Sequence, residues 1–153
     1  MSSSMKALLS AIETALQTGI SYMRDSDIYI TDDLYRIPQG TKFPACAIKD
    51  GPEIPEDRAG GMWVLAMTVS IAVFVRIYKE REAIMGNADT GAKGILDCDV
   101  DVIAALSENL LGLDGVVLAK WAGSEESAKF EDETEAIQMK VVKMQYEKEE
   151  DRP

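Results

Sequence analysis

The longest uncharged stretch of the chain, residues 60–75, alternates between large apolar side chains and smaller or polar ones. The odd positions are all large and apolar: Trp63, Leu65, Met67, Val69, Ile71, Val73, Val75 and Ile77. The even positions include Ala66, Thr68, Ser70, Ala72, Arg76 and Tyr78. A period of two places the two classes on opposite faces of a β-strand, whereas a helix would scatter both around its circumference. The pattern therefore predicts one long strand with a single buried face.

This predicted strand is longer than a small domain needs. Its sixteen uncharged residues would span roughly 50 Å in extended conformation. An exposed apolar strand of that length is an aggregation hazard, so we expect part of it to project past the core or to pair with another chain. A membrane helix would need about 20 predominantly apolar residues, and this run ends at Arg76.

Two other segments have the spacing of amphipathic helices. Residues 5–18 place one apolar stripe on a helix that Ser4 caps and Gly19 ends; the stripe consists of Leu8, Leu9, Ile12, Ala15 and Leu16. Residues 94–111 predict a second helix that Gly112 ends. Its expected apolar contacts are Ile95, Leu96, Val102, Ile103, Leu106, Leu110 and Leu111.

The remaining segments predict shorter strands and polar connections. We expect short strand segments at residues 27–31 and 34–37, split by an Asp-Asp turn, and strands at residues 44–50, 116–121 and 135–146. Gly, Pro and charged residues predict connections at 51–61, 79–93 and 123–134. The connection at 51–61 should be a mobile loop that joins two strands of a large hairpin.

Together these elements predict an α+β fold of order αβββαββ. The sheet is expected to be mostly antiparallel, with two helices packed on one face and one long projecting strand or hairpin. We expect a single domain over residues 1–153, with disordered tails at 1–4 and 147–153.

The charge composition narrows the possible functions. The chain of 153 residues carries a net charge of -11 and contains no His. Binding to duplex nucleic acid or to an anionic membrane surface requires clustered cations, so both are disfavoured. The absence of His removes the commonest general base and metal ligand.

The start, MSSSMK, lacks the pattern of a signal peptide, so we expect assembly in the cytoplasm.

Two short motifs approach known ligand sites without matching them. GNADTGAK at 86–93 lies between a predicted strand and a helix, as a phosphate loop does, but Ala92 occupies the position of the required Lys. Residues 97–108 place Asp97, Asp99 and Asp101 at calcium-loop positions, but Val102 replaces the required Gly. We interpret the first as a linker and the second as the acidic first turn of a helix.

No cofactor or catalytic group is predicted. Cys46 and Cys98 fit no metal-binding spacing and are expected to be two small buried side chains, although a disulfide stays open. Carboxylates are plentiful, but no pair is singled out for acid–base chemistry. We therefore expect a protein that is not an enzyme.

The order of elements resembles the tail terminator proteins of tailed bacteriophages and their head–tail joining relatives. The likeness covers roughly residues 5–147 and rests on element order and alternation. It includes the first helix, the Pro44-Ala45 pair that begins a strand, the long alternating strand and the polar connection. It continues in the helix ILDCDVDVIAALSENL and the closing run AIQMKVVKMQYE.

This resemblance implies a ring, usually a hexamer, that caps the tail tube, stops its polymerisation and joins it to the head connector. The implied partners are further copies of the chain, the tail tube protein and neck or connector proteins, with no membrane and no specific nucleic-acid binding. The protein would be part of the virion, and DNA would slide through an acidic channel. The charged connections at 51–61 and 79–93 would dock neighbouring rings. Candidate interface residues are Glu53, Glu56, Asp57, Arg58, Trp63, Thr68, Arg76, Lys79, Arg81 and Glu82.

Three alternatives stay open at the level of sequence. The first is another phage neck or tail-completion protein. The second is a small protein-binding adaptor domain without a phage role. The third is a small hydrolase or metal enzyme, which would require a catalytic or ligand set that no motif displays.

Overall fold

The described part of the chain forms a six-stranded sheet with helices on one face. A computed structural model describes residues 3–131 and 135–151. The helices are α1 (Ser4–Gly19), α2 (Glu80–Met85) and α3 (Ile95–Leu106). The strands are β1 (Ile28–Ile30), β2 (Ala45–Asp57), β3 (Met62–Arg76), β4 (Val116–Ser124), β5 (Ala128–Glu131) and β6 (Ala136–Asp151).

The strand order is β1-β2-β3-β6-β4, and β5 also pairs with β6. All pairs are antiparallel except β1 with β2. The predicted α+β class is confirmed, with a mostly antiparallel sheet and α1 and α3 in one core cluster on the same face. The observed order adds the short helix α2 and the strand β5 to the prediction.

The long alternating segment is a strand, as predicted. β3 pairs with β2 on one side and with β6 on the other along nearly its full length. The side chains of Met67, Val69, Ile71 and Val73 are fully buried in the core cluster beneath the helices. Period-two alternation therefore did identify the face that the helices cover.

The prediction of a single buried face was wrong for the second half of β3. Ala72 and Phe74 point away from the helices and are also fully buried, in a second apolar cluster. Phe130 of β5 packs against Phe74, with ring centroids 6.2 Å apart, and partly buried side chains from residues 29–43 complete the cover. This half of the sheet therefore has a core on both faces.

The two long helices form where the apolar spacing predicted them, with shifted ends. In α1, Leu8, Ile12 and Leu16 are fully buried, and the cap is Ser3, whose hydroxyl accepts the backbone N–H of Lys6. The second helix is shorter than predicted, because α3 ends at Leu106 and the backbone leaves helical geometry at Ser107.

Two of the residues that were expected to make apolar contacts from this helix do not do so. Leu110 lies beyond the end of α3 and is 42% exposed. Leu96 lies within the helix but on its outer side, with 40% exposure.

The hairpin was predicted correctly, but most of its loop is strand. β2 continues through the Gly- and Pro-containing segment to Asp57, and only residues 58–61 turn. The pairing register shifts between Asp50 and Glu53, which marks a bulge. β1 pairs only with residues 46–48, so Pro52 and Pro55 lie on an outer edge where no neighbouring strand needs their N–H groups.

Three further segments differ from the predictions. Residues 34–37 do not form a strand: residues 34–35 lie in a turn and residues 36–37 have no regular structure. The Asp33 carboxylate accepts the backbone N–H of Tyr35 in this turn. The polar connection 79–93 contains α2, and the acidic connection 123–134 contains β5. Residues 147–151, expected to fray, continue β6 and pair with β3; residues 132–134 and the chain ends 1–2 and 152–153 lie outside the described part.

Candidate functional site

Most of the candidate interface residues lie at two opposite ends of β3. Five of them occupy the end formed by the β2–β3 turn, which we call the hairpin end: Glu53, Glu56, Asp57, Arg58 and Trp63; Thr68 lies near the middle of β3. The other four occupy the end near α2, which we call the cleft end: Arg76, Lys79, Arg81 and Glu82. A strand of fifteen residues separates these ends by roughly 45 Å. The structure therefore divides the predicted interface into two surfaces.

At the hairpin end, the face turned away from the helices is acidic. Leu65 packs into the core beneath the helices, so its neighbours in β3, Val64 and Ala66, point to the other face. Across the sheet, Ala66 pairs with Ile54 and Glu147, while Val64 pairs with Glu56 and Glu149. We call the four outer residues, Ile54, Glu56, Glu147 and Glu149, the acidic face.

Arg58 lies close to the acidic face. Its guanidinium donates a hydrogen bond of 2.8 Å to the Glu56 carboxylate. The pKa of Arg58 is raised by this bond first and further by the charges of Glu147 and Glu149. Among the described residues, Arg58 thus lies near the three carboxylates of Glu56, Glu147 and Glu149, and these four groups together carry an excess of negative charge.

The opposite side of the hairpin end is fixed to the start of α1. The Trp63 indole N–H donates to Glu150 at 2.9 Å, and the Ser4 hydroxyl donates to the same carboxylate at 3.0 Å. Lys148 lies 3.5 Å from Glu150. Trp63, a candidate interface residue, thus forms a hydrogen bond within its own fold.

Thr68 lies opposite the bulge of β2. A Cβ atom added to Gly51 would stand 2.5 Å from the Thr68 carbonyl oxygen, so the two backbones approach closely here.

The cleft end contains a cavity of about 580 Å³ between residues 41–44, the end of β3, α2 and Lys93. Phe43, Pro44, Val75 and Ala83 give it apolar walls. Its charged lining within the described residues is mostly cationic, consisting of Lys42, Arg76, Lys79 and Lys93 with the single acid Glu82. We call this cavity the basic cleft; in a chain with a net charge of -11 it is a local reversal of sign.

Arg76 is the most firmly held cation of the basic cleft. Its guanidinium forms an ion pair with Glu135 and donates a hydrogen bond of 2.8 Å to the Tyr78 hydroxyl. The guanidinium carbon also lies 5.7 Å from the centre of the Phe43 ring and 5.6 Å from that of Tyr78. These contacts give Arg76 a fixed position at the rim.

The lysines of the basic cleft have fewer contacts within the protein than Arg76 has. Lys42 and Lys79 are exposed and form no ion pair with any residue of 3–131 or 135–151. The Lys93 ammonium lies 3.8 Å from Asp101 and 5.2 Å from the Tyr22 ring. Glu82, the one acid, accepts a hydrogen bond from the Asn87 side chain. Lys42 and Lys79 therefore give the cleft positive charge that no ion pair among the described residues neutralises.

The two ligand-like motifs have structural roles. The segment 86–93 follows helix α2 and not a strand, so it lacks the context of a phosphate loop; the Asn87 carbonyl oxygen of the side chain accepts the backbone N–H of Asp89 within it. The acidic motif is helical, as interpreted, and Asp97 accepts the backbone N–H of Gly94 at 3.0 Å.

The other two acids of that motif point in different directions. Asp101 accepts a hydrogen bond from the Tyr22 hydroxyl at 2.6 Å, and Asp99 accepts one from the Ser124 hydroxyl at 2.7 Å.

Cys46 and Cys98 are free and buried, as expected. In the part of the chain that the structure describes, no cluster of three or more acidic or Cys side chains could hold a metal ion, and no helix is both long and apolar enough to cross a membrane.

The sequence prediction missed part of both surfaces. Lys42, Phe43 and Lys93 reach the cleft only because distant segments meet there. The available signal for the acidic face was Ile54, an apolar residue within the charged run Glu53–Asp57.

No protein-family model matches the chain, and no curated protein matches it in sequence. Among solved structures, the chain is similar to a chain described as part of the virion of a native gene transfer agent (GTA) particle. The TM-score is 0.58 at 15% sequence identity, and the match covers 97% of this chain and 100% of that chain. At this identity the likeness is one of fold.

Proposed function

We propose that this chain is a structural virion protein, a tail terminator whose copies form a ring at the end of a phage-type tail tube and join it to the head connector. The observation that carries the proposal is the end-to-end likeness of its fold to a gene transfer agent virion chain, with 97% and 100% of the two chains covered. The resemblance of the element order to tail terminators supports the specific position that we propose in the particle.

The shape and charge of the sheet support a ring. A closed ring needs two different surfaces on each copy, because every contact is head to tail. The hairpin end and the cleft end are two such surfaces, one acidic and one basic, on a continuous three-stranded ribbon of β2, β3 and β6. The excess of carboxylates elsewhere would repel a DNA backbone that passes through the ring.

The test is an end-capping experiment. The purified chain is added to the tube protein encoded in the same genome, during and after tube polymerisation, and the tubes are imaged by negative-stain electron microscopy. We expect a ring at one end of each tube and shorter tubes when the chain is present during growth. A heat-unfolded sample of the same chain is the control for nonspecific effects on growth.

Two results would contradict the proposal in different ways. Tubes of unchanged length with bare ends would reject both the ring and the terminator role. Rings that bind the connector but leave tube growth unchanged would replace the terminator role with that of another neck component.

A further inference from the structure

The acidic face and the basic cleft are complementary in charge. Among residues 3–131 and 135–151, the acidic face contributes three carboxylates, and Arg58 is the cation bonded to one of them. Among the described residues, the basic cleft contributes Lys42 and Lys79, which form no ion pair, beside Arg76 and Lys93, which are paired with Glu135 and Asp101, and the one lining acid Glu82. Opposite potentials of this kind guide association and fix which surfaces meet.

The two surfaces also match in their apolar parts. Ile54 is 62% exposed on the β2 side of the acidic face. The basic cleft has apolar walls, and Tyr78 at its rim is 78% exposed. Docking would bury an exposed Ile and an exposed aromatic ring together, which is the usual composition of an interface centre.

A second copy is better able to contact the β2 edge through side chains than by adding a strand that pairs with its backbone. An exposed strand edge invites pairing with another chain through its N–H and C=O groups. Pro52 and Pro55 remove two N–H groups from this edge, and the bulge between Asp50 and Glu53 interrupts its register. The hairpin end therefore offers a charged and apolar face rather than a backbone ladder.

The two surfaces cannot meet within one copy. The acidic face lies beside residues 64–66 of β3 and the basic cleft beside residues 75–76, roughly 35 Å apart, and β3 is paired with β2 and β6 along nearly its whole length. A contact between them requires two copies, and it leaves a free acidic face on one copy and a free basic cleft on the other. Repetition of such a contact closes into a ring when the rotation between copies permits.

We infer that the acidic face of one copy docks into the basic cleft of a second copy, with Ile54 at the centre of the contact, and that this contact builds the ring. The inference rests on the proposed function for the ring itself and adds which surfaces form its interface. Ion pairs between the lysines of the cleft and the carboxylates of the acidic face would make the contact sensitive to salt.

The first experiment is disulfide cross-linking of the double variant Ile54→Cys with Tyr78→Cys. Both positions are exposed, and the native cysteines are buried. With oxidised glutathione as oxidant, in the presence and absence of tubes, we expect a ladder of cross-linked copies on non-reducing gels. The matched control combines Ile54→Cys with Val117→Cys, a position 50% exposed on β4.

A ladder for the Ile54 and Tyr78 pair alone supports the contact. Absence of a ladder, or an equal ladder in the control, overturns it. Tube capping by the wild-type chain is scored separately, so the ring can stand when this particular interface fails.

The second experiment is a charge exchange. Lys79→Glu and Glu149→Lys should each weaken association between copies by about tenfold or more, measured by sedimentation velocity or by occupancy of tube ends. The double variant should recover most of that loss, because each interface would again join opposite charges. Lys6→Glu and Glu126→Lys are controls with the same changes in net charge at exposed positions, Lys6 on α1 at the opposite face of the sheet and Glu126 between β4 and β5.

Recovery in the double variant supports the inference, and circular dichroism verifies that every variant is folded. Single reversals that behave like their controls would overturn it. Binding of duplex DNA by the wild-type chain that Lys79→Glu abolishes, without any effect on association, would assign the cleft to nucleic acid and also overturn it.

Discussion

Val69 and Thr68 are neighbours in β3 with opposite environments. Val69 is fully buried beneath the helices, whereas Thr68 is half-buried on the other face. A charge at Val69 would be buried without a partner, which a folded protein rarely tolerates. This pair therefore tests the alternation from which the fold was predicted.

We expect Val69→Asp to lower the free energy of unfolding by roughly 4 kcal/mol or more, and Thr68→Asp to lower it by about 1 kcal/mol or less. Urea unfolding followed by circular dichroism measures both. Equal losses in the two variants would contradict the assignment of faces. A folded Thr68→Asp variant that no longer assembles would place the helix-free face at an interface.

Asp27 is a buried carboxylate that links two segments near the basic cleft. It accepts two hydrogen bonds from Arg24, at 2.6 and 3.0 Å, and one from the backbone N–H of Lys42 at 3.1 Å. The hydrogen bonds from Arg24 hold the pKa of Asp27 below its ordinary value of about 3.8, although burial acts in the opposite direction. The ionised form of Asp27 therefore stabilises the segment that carries Lys42.

The pH dependence follows from the lowered pKa. The stabilisation by Asp27 is complete above about pH 4 and is lost as the pH falls through the folded-state value. We expect Asp27→Asn to reduce the free energy of unfolding at pH 7 by about 1–3 kcal/mol. Urea unfolding at pH 7 and pH 3 should show a smaller difference between wild type and variant at the lower pH. An equal difference at both values would contradict this role.

At the scale of elements, β6 shows how pairing overrides composition. Residues 147–151, EKEED, have the charge of a solvated tail. They are nevertheless paired with residues 62–66 of β3, and the backbone N–H of Glu149 donates to the Gly115 carbonyl at 2.8 Å. The strand is ordered because its neighbours on both sides supply partners for its backbone groups.

Hydrogen exchange tests this order directly. We expect the amides of residues 147–149, which lie between β3 and β4, to exchange far more slowly than those of the loop residues 88–91. The measurement is native-state exchange followed by NMR or mass spectrometry. Exchange of both segments at the same rate would show that the end of β6 frays, as its composition alone predicts.

At the scale of the whole molecule, the two thiols report on global unfolding. Cys46 lies in β2 and Cys98 in α3, and both are fully buried in the same core cluster. Burial raises the pKa of the Cys98 thiol to about 12 and raises that of Cys46 as well. Both side chains therefore stay protonated and inaccessible in the native protein.

We expect no reaction of either thiol with Ellman's reagent at pH 8 in the native state, and reaction of both once urea unfolds the chain. The measurement is absorbance of the released thiolate against urea concentration, with circular dichroism on the same samples. Fast labelling of one thiol in folded protein would mean that the core opens locally around it.

The candidate surfaces were predictable only in part. The charged residues of the β2–β3 hairpin stand close together in the sequence, so the hairpin end could be proposed from composition. The basic cleft could not, because residues 41–44, 75–83 and 92–93 meet only after the sheet and α2 have formed. The hairpin and cleft residues were given as one set of candidates from two charged connections, and the length of β3 shows how far apart the two groups lie.

The sequence by itself determined the α+β class, the long strand β3 and the apolar stripe of α1. These features follow from the local periodicity of apolar residues, which is present in the sequence whatever the tertiary structure is. The tertiary structure decided the course of β2 past Pro52 and Pro55, the order at the end of β6 and the second buried face at Phe74. Each of these depends on a partner segment that is distant in sequence. A residue can pair its backbone or become buried only when a neighbouring segment supplies the hydrogen-bond partners or the covering side chains.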